Sequence, residues 1–253
     1  MSSPEVAFVT GTTSGFGRAI ARTLLDAGVK VVATGRRQDR LASLMDEVRS
    51  PSLYTIRLDV RDRDAVSKAI SSLPDSHRAI DLLVNNAGLA LGVETAPKTS
   101  LDDWETMIDT NVKGLVTVTD KILPGMVERG RGHVVNMGST AATYPYPGSN
   151  VYGATKAFVK QFSINLRADL AGTPIRVTDI APGLSTSEFS LVRMKGDQTK
   201  ADAVYEGTEP ITPEDVAETV LWVASRPPHL NVNRVELMPV CQAFGPFAIH
   251  RKS

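Results

Sequence analysis

The sequence predicts an α/β fold in which one doubly wound parallel sheet of about seven strands carries helices on both faces. Three observations support this. Short apolar segments alternate with helix-patterned ones along the whole chain. The apolar segments are apolar throughout rather than at every second position, as expected of strands buried on both faces. The first of them runs directly into a glycine-rich loop that opens a helix.

The elements follow in order. VAFVT at Val6–Thr10 is a strand rich in β-branched residues, GTTSGFG is the loop, and RAIARTLLDAG is the first helix, beginning near Gly15. KVVAT at 30–34 is the second strand, and 39–49 is a helix with apolar positions at Leu41, Leu44, Met45 and Val48. LYTIRL, IDLLV, GHVVNM and IRVTDI read as further strands, and DAVSKAISSL, a long stretch at 101–129 and a segment at about 151–170 as helices. Pro124 and Gly125 are expected to bend or end the long helix. No internal repeat or linker divides the chain, so residues 1–253 are expected to form one domain. The least patterned segment, about 184–210, is expected to be a substrate lid, because long unpatterned loops in compact domains usually serve function. A C-terminal tail is assigned to about 241–253.

Composition excludes several classes of function. The 28 basic residues balance 28 acidic ones, which argues against a nucleic-acid partner or an anionic membrane surface. No apolar run is long enough for a membrane span, and the N-terminus has no signal-peptide pattern, so a cytoplasmic protein is expected. The single cysteine, Cys241, permits no intrachain disulfide and reads as a buried structural thiol. The four histidines show no metal-ligand spacing, so no metal is expected, and His229 and His250 are not candidate catalysts.

In an open parallel sheet, ligands bind beyond the carboxyl ends of the strands. The loop Gly11-Thr12-Thr13-Ser14-Gly15-Phe16-Gly17 occupies such a place, and its spacing is G-x-x-x-G-x-G. Glycines let the backbone approach a pyrophosphate, the helix start offers free N–H groups, and Ser14 adds a hydroxyl. A Rossmann-type nucleotide site follows. At the end of the second strand the chain reads Thr34-Gly35-Arg36-Arg37, with no carboxylate to take ribose hydroxyls. Guanidiniums suit a 2′-phosphate, which favours NADP(H) over NAD(H). The alternative is that both arginines are solvated charges at a helix start.

Ser139, Tyr152 and Lys156 place a hydroxyl, a phenol and an amine within one stretch. On a helix, Tyr152 and Lys156 share a face, and an ammonium beside a phenol is expected to lower its pKa toward neutrality. Tyr152 could then exchange a proton with an alcohol or carbonyl while Ser139 holds the substrate oxygen. The same spacing also occurs on ordinary solvated helix faces.

With the glycine loop, Asn85-Asn86-Ala87-Gly88 and Y-x-x-x-K present in that order, the chain resembles the short-chain dehydrogenase/reductase family over nearly its full length. The resemblance implies that Ser139, Tyr152 and Lys156 are catalytic and that Asn111, in DTNVKG, holds a proton-relay water. It also implies cofactor contacts from Asp59 and Val60 at the adenine, from Asn86, Ala87 and Gly88, and from Pro182-Gly183 beside the nicotinamide. The family's carboxamide-binding threonine is replaced, and Ser187 is preferred by spacing over Thr186. Homotetramers are implied as well, and Phe244, Phe247 and Ile249 in the tail are candidates to cover a neighbouring subunit's site.

Several segments, among them ATGRRQDRL and VYGATKAFVKQFSINLR, are similar to the family's NADP-dependent 3-hydroxy acid dehydrogenases. These act on serine, allo-threonine, 3-hydroxypropionate or the corresponding semialdehydes. An anionic substrate needs a cation, and Arg193 is the candidate, with Lys195 second and Tyr146 as hydroxyl donor; the alternative for Arg193 is a solvated loop charge. Sulfoacetaldehyde reduction to isethionate would suit the same clamp. A reading of another class is a non-catalytic NADP-binding sensor.

Overall fold

Alternation within the first strand, β1 (Val6–Thr10), shows how the layers form. Ala7 and Val9 face one side of the sheet and Val6 and Phe8 the other, and both sets are buried in separate apolar clusters. A computed structural model describes residues 4–245. Beyond β1 the strands are β2 (Lys30–Gly35), β3 (Leu53–Arg57), β4 (Leu82–Asn85), β5 (Gly132–Met137), β6 (Ile175–Pro182) and β7 (Arg234–Leu237). They form one seven-stranded parallel sheet in the order β3-β2-β1-β4-β5-β6-β7. The order reverses between β1 and β4, which opens a crevice at their carboxyl ends.

The helices are α1 (Gly15–Asp26), α2 (Gln38–Val48), α3 (Arg63–Ser71), α4 (Asp75–Arg78), α5 (Leu101–Ile108), α6 (Leu115–Glu128), α7 (Asn150–Asp169), α8 (Glu188–Arg193), α9 (Gln198–Ala203) and α10 (Pro213–Ala224). Ile20 and Leu24 of α1 and Val216, Val220 and Val223 of α10 cover one face of the sheet. Val66 of α3 and Val118, Ile122 and Met126 of α6 cover the other. The fold class is the one the sequence predicts.

Three local expectations change. Pro124 lies inside α6 and does not end it, because the helix's buried residues on both sides of the proline continue to pack on the sheet. The assigned lid is not a plain loop, since it contains α8 and α9. Cys241 is exposed rather than buried, because it sits in a turn past the end of β7, outside the sheet. The sequence reading also assigned no helix at 213–224. Its start signal is nonetheless present: Thr212 and Asp215 form a reciprocal capping box around Pro213. Among the described residues, no helix is long and apolar enough to cross a membrane. Phe247, Ile249 and His250 lie outside the described residues.

Candidate active site

A cleft of about 810 Å³ lies at the carboxyl ends of the strands. Its floor is the junction of the glycine loop with the loop after β4. Main-chain N–H groups of Asn86 and Ala87 both donate to Thr10 Oγ1, at 3.0 and 2.9 Å, and Asn86 Nδ2 donates to the carbonyls of Thr10 and Gly11. The two loops are therefore joined by four hydrogen bonds. Gly11 has φ +74°, and a Cβ there would meet Ala87 Cα at 2.9 Å. A Cβ on Gly17 would overlap the Gly11 carbonyl, so only glycines allow this close packing.

At one end of the cleft, Thr13, Ser14, Gly15 and Phe16 meet Arg36 and Arg37, with Asp59 and Val60 on the next strand's loop. Arg37 donates to Thr13 Oγ1 and to the Thr13 carbonyl, and pairs with Glu188 of α8 at 2.8 Å. Asp59 pairs with Arg61 at 2.6 Å, and that hydrogen bond holds its carboxyl below the ordinary range. Ala87 and Gly88 line the middle of the cleft, as do Pro182, Gly183 and Ser187. Of the two hydroxyls in question, Ser187 faces the cleft and abuts Gly15, whereas Thr186 is turned to the Ile211 carbonyl.

The candidate reactive groups stand deeper. Ser139 follows β5 in an extended conformation, and its Oγ accepts from the Ala141 N–H at 3.1 Å. Tyr152 and Lys156 lie in the first turns of α7, and all three side chains are buried while lining the cleft. Lys156 Nζ donates to the Met137 carbonyl at 2.7 Å and lies 5.9 Å from the centre of the Tyr152 ring. Burial draws the Lys156 ammonium down to about 8, against a smaller upward pull from Asp179. Burial pushes the Tyr152 phenol above its ordinary value, opposed by the Ser139 hydroxyl and the Arg193 charge. The expectation that Lys156 lowers the phenol is thus overturned. Desolvation dominates, and the ammonium addresses a carbonyl rather than the phenolic oxygen.

Asn111 lies in a π-helical turn, Asp109–Gly114, between α5 and α6. Its amide donates to the Leu89 carbonyl at 2.8 Å and to Thr155 Oγ1, and its oxygen accepts from the Leu89 N–H. A Cβ on Gly88 would sit 3.2 Å from Asn111 Oδ1 and 3.5 Å from Lys156 Nζ, so these two groups flank the same glycine.

At the far end, Arg193, the last residue of α8, donates to the Tyr146 hydroxyl at 2.8 Å and to the carbonyls of Gly92 and Gly148. Its guanidinium lies 6.0 Å from the centre of the Tyr152 ring. Lys195, the second candidate cation, is instead paired with Asp103 at 2.6 Å. Glu188 is the residue that the sequence reading missed. Nothing in its local sequence marks it, since its partners lie about the glycine loop and α2.

Comparison with known proteins agrees with this architecture. The family model described as short chain dehydrogenase matches residues 5–196. The NADP-dependent 3-hydroxy acid dehydrogenase YdfG of Salmonella typhi is 58% identical over 247 residues, 97% of this chain and 99% of that protein. Sulfoacetaldehyde reductase 2 of Chromohalobacter salexigens is 53% identical, covering 98% of this chain and 99% of its own. Among solved structures, the closed form of a serine dehydrogenase complexed with NADP+ superposes with a TM-score of 0.96 at 57% identity, covering 98% of this chain and all of that one. The chain belongs to the short chain dehydrogenase family.

Proposed function

We propose that the protein is an NADP(H)-dependent oxidoreductase acting on a small anionic 3-hydroxy acid or its semialdehyde, of the serine, allo-threonine or 3-hydroxypropionate type. One observation carries the reading. The cleft has a cationic end at Arg36 and Arg37 and a second cation, Arg193, at the other end, with Ser139, Tyr152 and Lys156 between them. The relatives named above point the same way, since one is a 3-hydroxy acid dehydrogenase and another a serine dehydrogenase complexed with NADP+.

The residues present fit the cofactor. The glycine cradle leaves room where any Cβ would intrude, and the guanidiniums of Arg36 and Arg37 line the same end of the cleft, which suits a 2′-phosphate. Gly11, Thr13, Ser14, Gly15, Phe16 and Gly17 would hold the pyrophosphate side, Asp59, Val60, Asn86, Ala87 and Gly88 the adenosine side, and Pro182, Gly183 and Ser187 the nicotinamide. When bound, the nicotinamide supplies or accepts the hydride.

The protein's own task is the proton. In the reducing direction Tyr152 donates its proton to the substrate oxygen, which Ser139 holds by a hydrogen bond, and Arg193 favours the phenolate left behind. Lys156 lies under the same ring and is within reach of deprotonation near pH 8, so it can re-supply Tyr152 as the phenolate forms. Asn111, beside Gly88, extends that path away from the substrate. Arg193 with Tyr146 takes the carboxylate, which fixes the reacting carbon relative to Tyr152.

A sulfonate would satisfy the same cation, and the sulfoacetaldehyde reductase relative makes reduction to isethionate the second reading. A cytoplasmic homotetramer completes the proposal. The assembly is supported by exposed Phe158, stacked on half-buried Phe162 of α7, and by exposed Trp222 on α10. The deciding experiment is a panel of serine, 3-hydroxypropionate, malonic semialdehyde and sulfoacetaldehyde, assayed with NADP+ or NADPH. Turnover of a hydroxy acid or its semialdehyde above sulfoacetaldehyde supports the main reading. Preference for sulfoacetaldehyde selects the second, and tight NADPH binding with no turnover selects the sensor.

A further inference from the structure

Helix α8 is tied down at both ends, and the two ties belong to opposite ends of the cleft. At its first residue, Glu188 Oε2 pairs with Arg37 Nη1 at 2.8 Å, and Oε1 lies 3.5 Å from Arg40 Nη2. Arg37 is itself held by Thr13 of the glycine loop. Burial alone would raise the Glu188 carboxyl, but Arg37, the Ser14 hydroxyl and Arg40 together hold it below its ordinary value, so it is ionised at neutral pH. At the last residue of the same helix, Arg193 reaches Tyr146, Gly92 and Gly148 on the substrate side. A single short helix thus bridges the glycine loop and the residues around Tyr152.

We infer that Glu188 is a positioning residue whose grip on Arg37 and Arg40 holds α8 down over the bound cofactor, and so couples cofactor retention to the setting of Arg193. The inference rests on the reading that the cleft holds NADP(H). The carboxylate is the only contribution of α8 to this end of the cleft that pairs with two guanidiniums. Removing it releases the helix at one end, and Arg193, five residues along, is then held only by its own bonds to Tyr146, Gly92 and Gly148. A carboxylate beside a phosphate-binding arginine could instead act as a competitor for that arginine. The two roles differ in sign: a latch slows cofactor release, and a competitor speeds it.

The test measures NADPH dissociation from the full-length protein by stopped-flow fluorescence, chasing with excess NADP+. Glu188→Gln keeps shape and hydrogen-bonding capacity and loses the charge. For a partly exposed ion pair, NADPH should leave about fivefold faster. KM for the anionic substrate should rise by a similar factor while kcat is not reduced, and Glu188→Asp should fall between the two. An unchanged or slower off-rate overturns the latch, and a slower one identifies the competitor. If Glu188→Gln loses its cooperative thermal transition, Arg40→Gln reads the second leg of the latch. NADPH should leave about twofold faster from it, and an unchanged rate overturns the inference. Wild-type protein that binds no NADPH sinks the functional reading and the latch together. Wild-type protein that binds NADPH and releases it no more slowly than Glu188→Gln sinks only the latch.

Discussion

Lys156 Nζ donates to the Met137 carbonyl at 2.7 Å while lying 5.9 Å from the centre of the Tyr152 ring. The lysine is therefore anchored to the end of β5, and burial draws its ammonium down to about 8 from an ordinary 10.5. Between these two pH values the unfolded chain holds a proton at this position and the folded chain does not. Raising the pH through that window thus stabilises the cofactor-free fold. Tyr152 acts in the opposite sense, because its phenol is raised: its contribution is lost as pH climbs above the ordinary phenol value of 10. Urea midpoints at about pH 7.5 and pH 9.5 isolate the lysine. The Lys156 part of the rise between them should be absent in Lys156→Met, and an equal rise in both proteins would contradict the lowered lysine.

Tyr152→Phe keeps the ring that packs against Phe189 at 5.5 Å between centroids and removes only the proton donor. Turnover should fall about a thousandfold while NADPH affinity is retained. The check is steady-state assay beside fluorescence titration, and substantial residual turnover would remove Tyr152 from its role.

Arg36→Ala with Arg37→Ala should weaken NADPH binding about a hundredfold, as expected for lost charge-assisted hydrogen bonds to a phosphate. NADH should lose only about fivefold, through the lost partner of Glu188. Comparable losses for both cofactors, measured by titration, would place the 2′-phosphate elsewhere.

Arg193→Met removes the guanidinium that donates to Tyr146 and keeps an unbranched apolar stem. KM for carboxylate or sulfonate substrates should rise about 10- to 100-fold, with little change for neutral alcohols of the same length. A uniform loss across acids and alcohols would mean that Arg193 acts through the shape of the cleft.

How much was legible in the sequence differs from element to element. The first six strands and the long helix at Asn150–Asp169 follow from apolar runs and turn residues, which are properties of neighbouring positions. Helix α10 is marked locally only by the Thr212–Asp215 cap and Pro213, and the face it buries against α1 and the sheet is set by the fold. Pro124 does not end α6, because a proline's cost to a helix is local while the packing that offsets it comes from distant residues.

By itself, the sequence determined the α/β class, the glycine loop and the set of candidate reactive residues, because each is written as a short pattern within one strand–loop–helix unit. Spacing and family likeness put Arg193 ahead of Lys195 and Ser187 ahead of Thr186, but each pair is alike in chemistry and close in the chain. The tertiary structure separates their surroundings, turning Arg193 toward Tyr146 and Lys195 toward Asp103, and Ser187 toward Gly15 and Thr186 toward Ile211. It also reversed the expected direction for the Tyr152 phenol and joined Glu188 to Arg37, which stands 151 positions earlier in the chain. Burial and pairing across such separations depend on where the folded backbone brings groups together, and no local pattern encodes that.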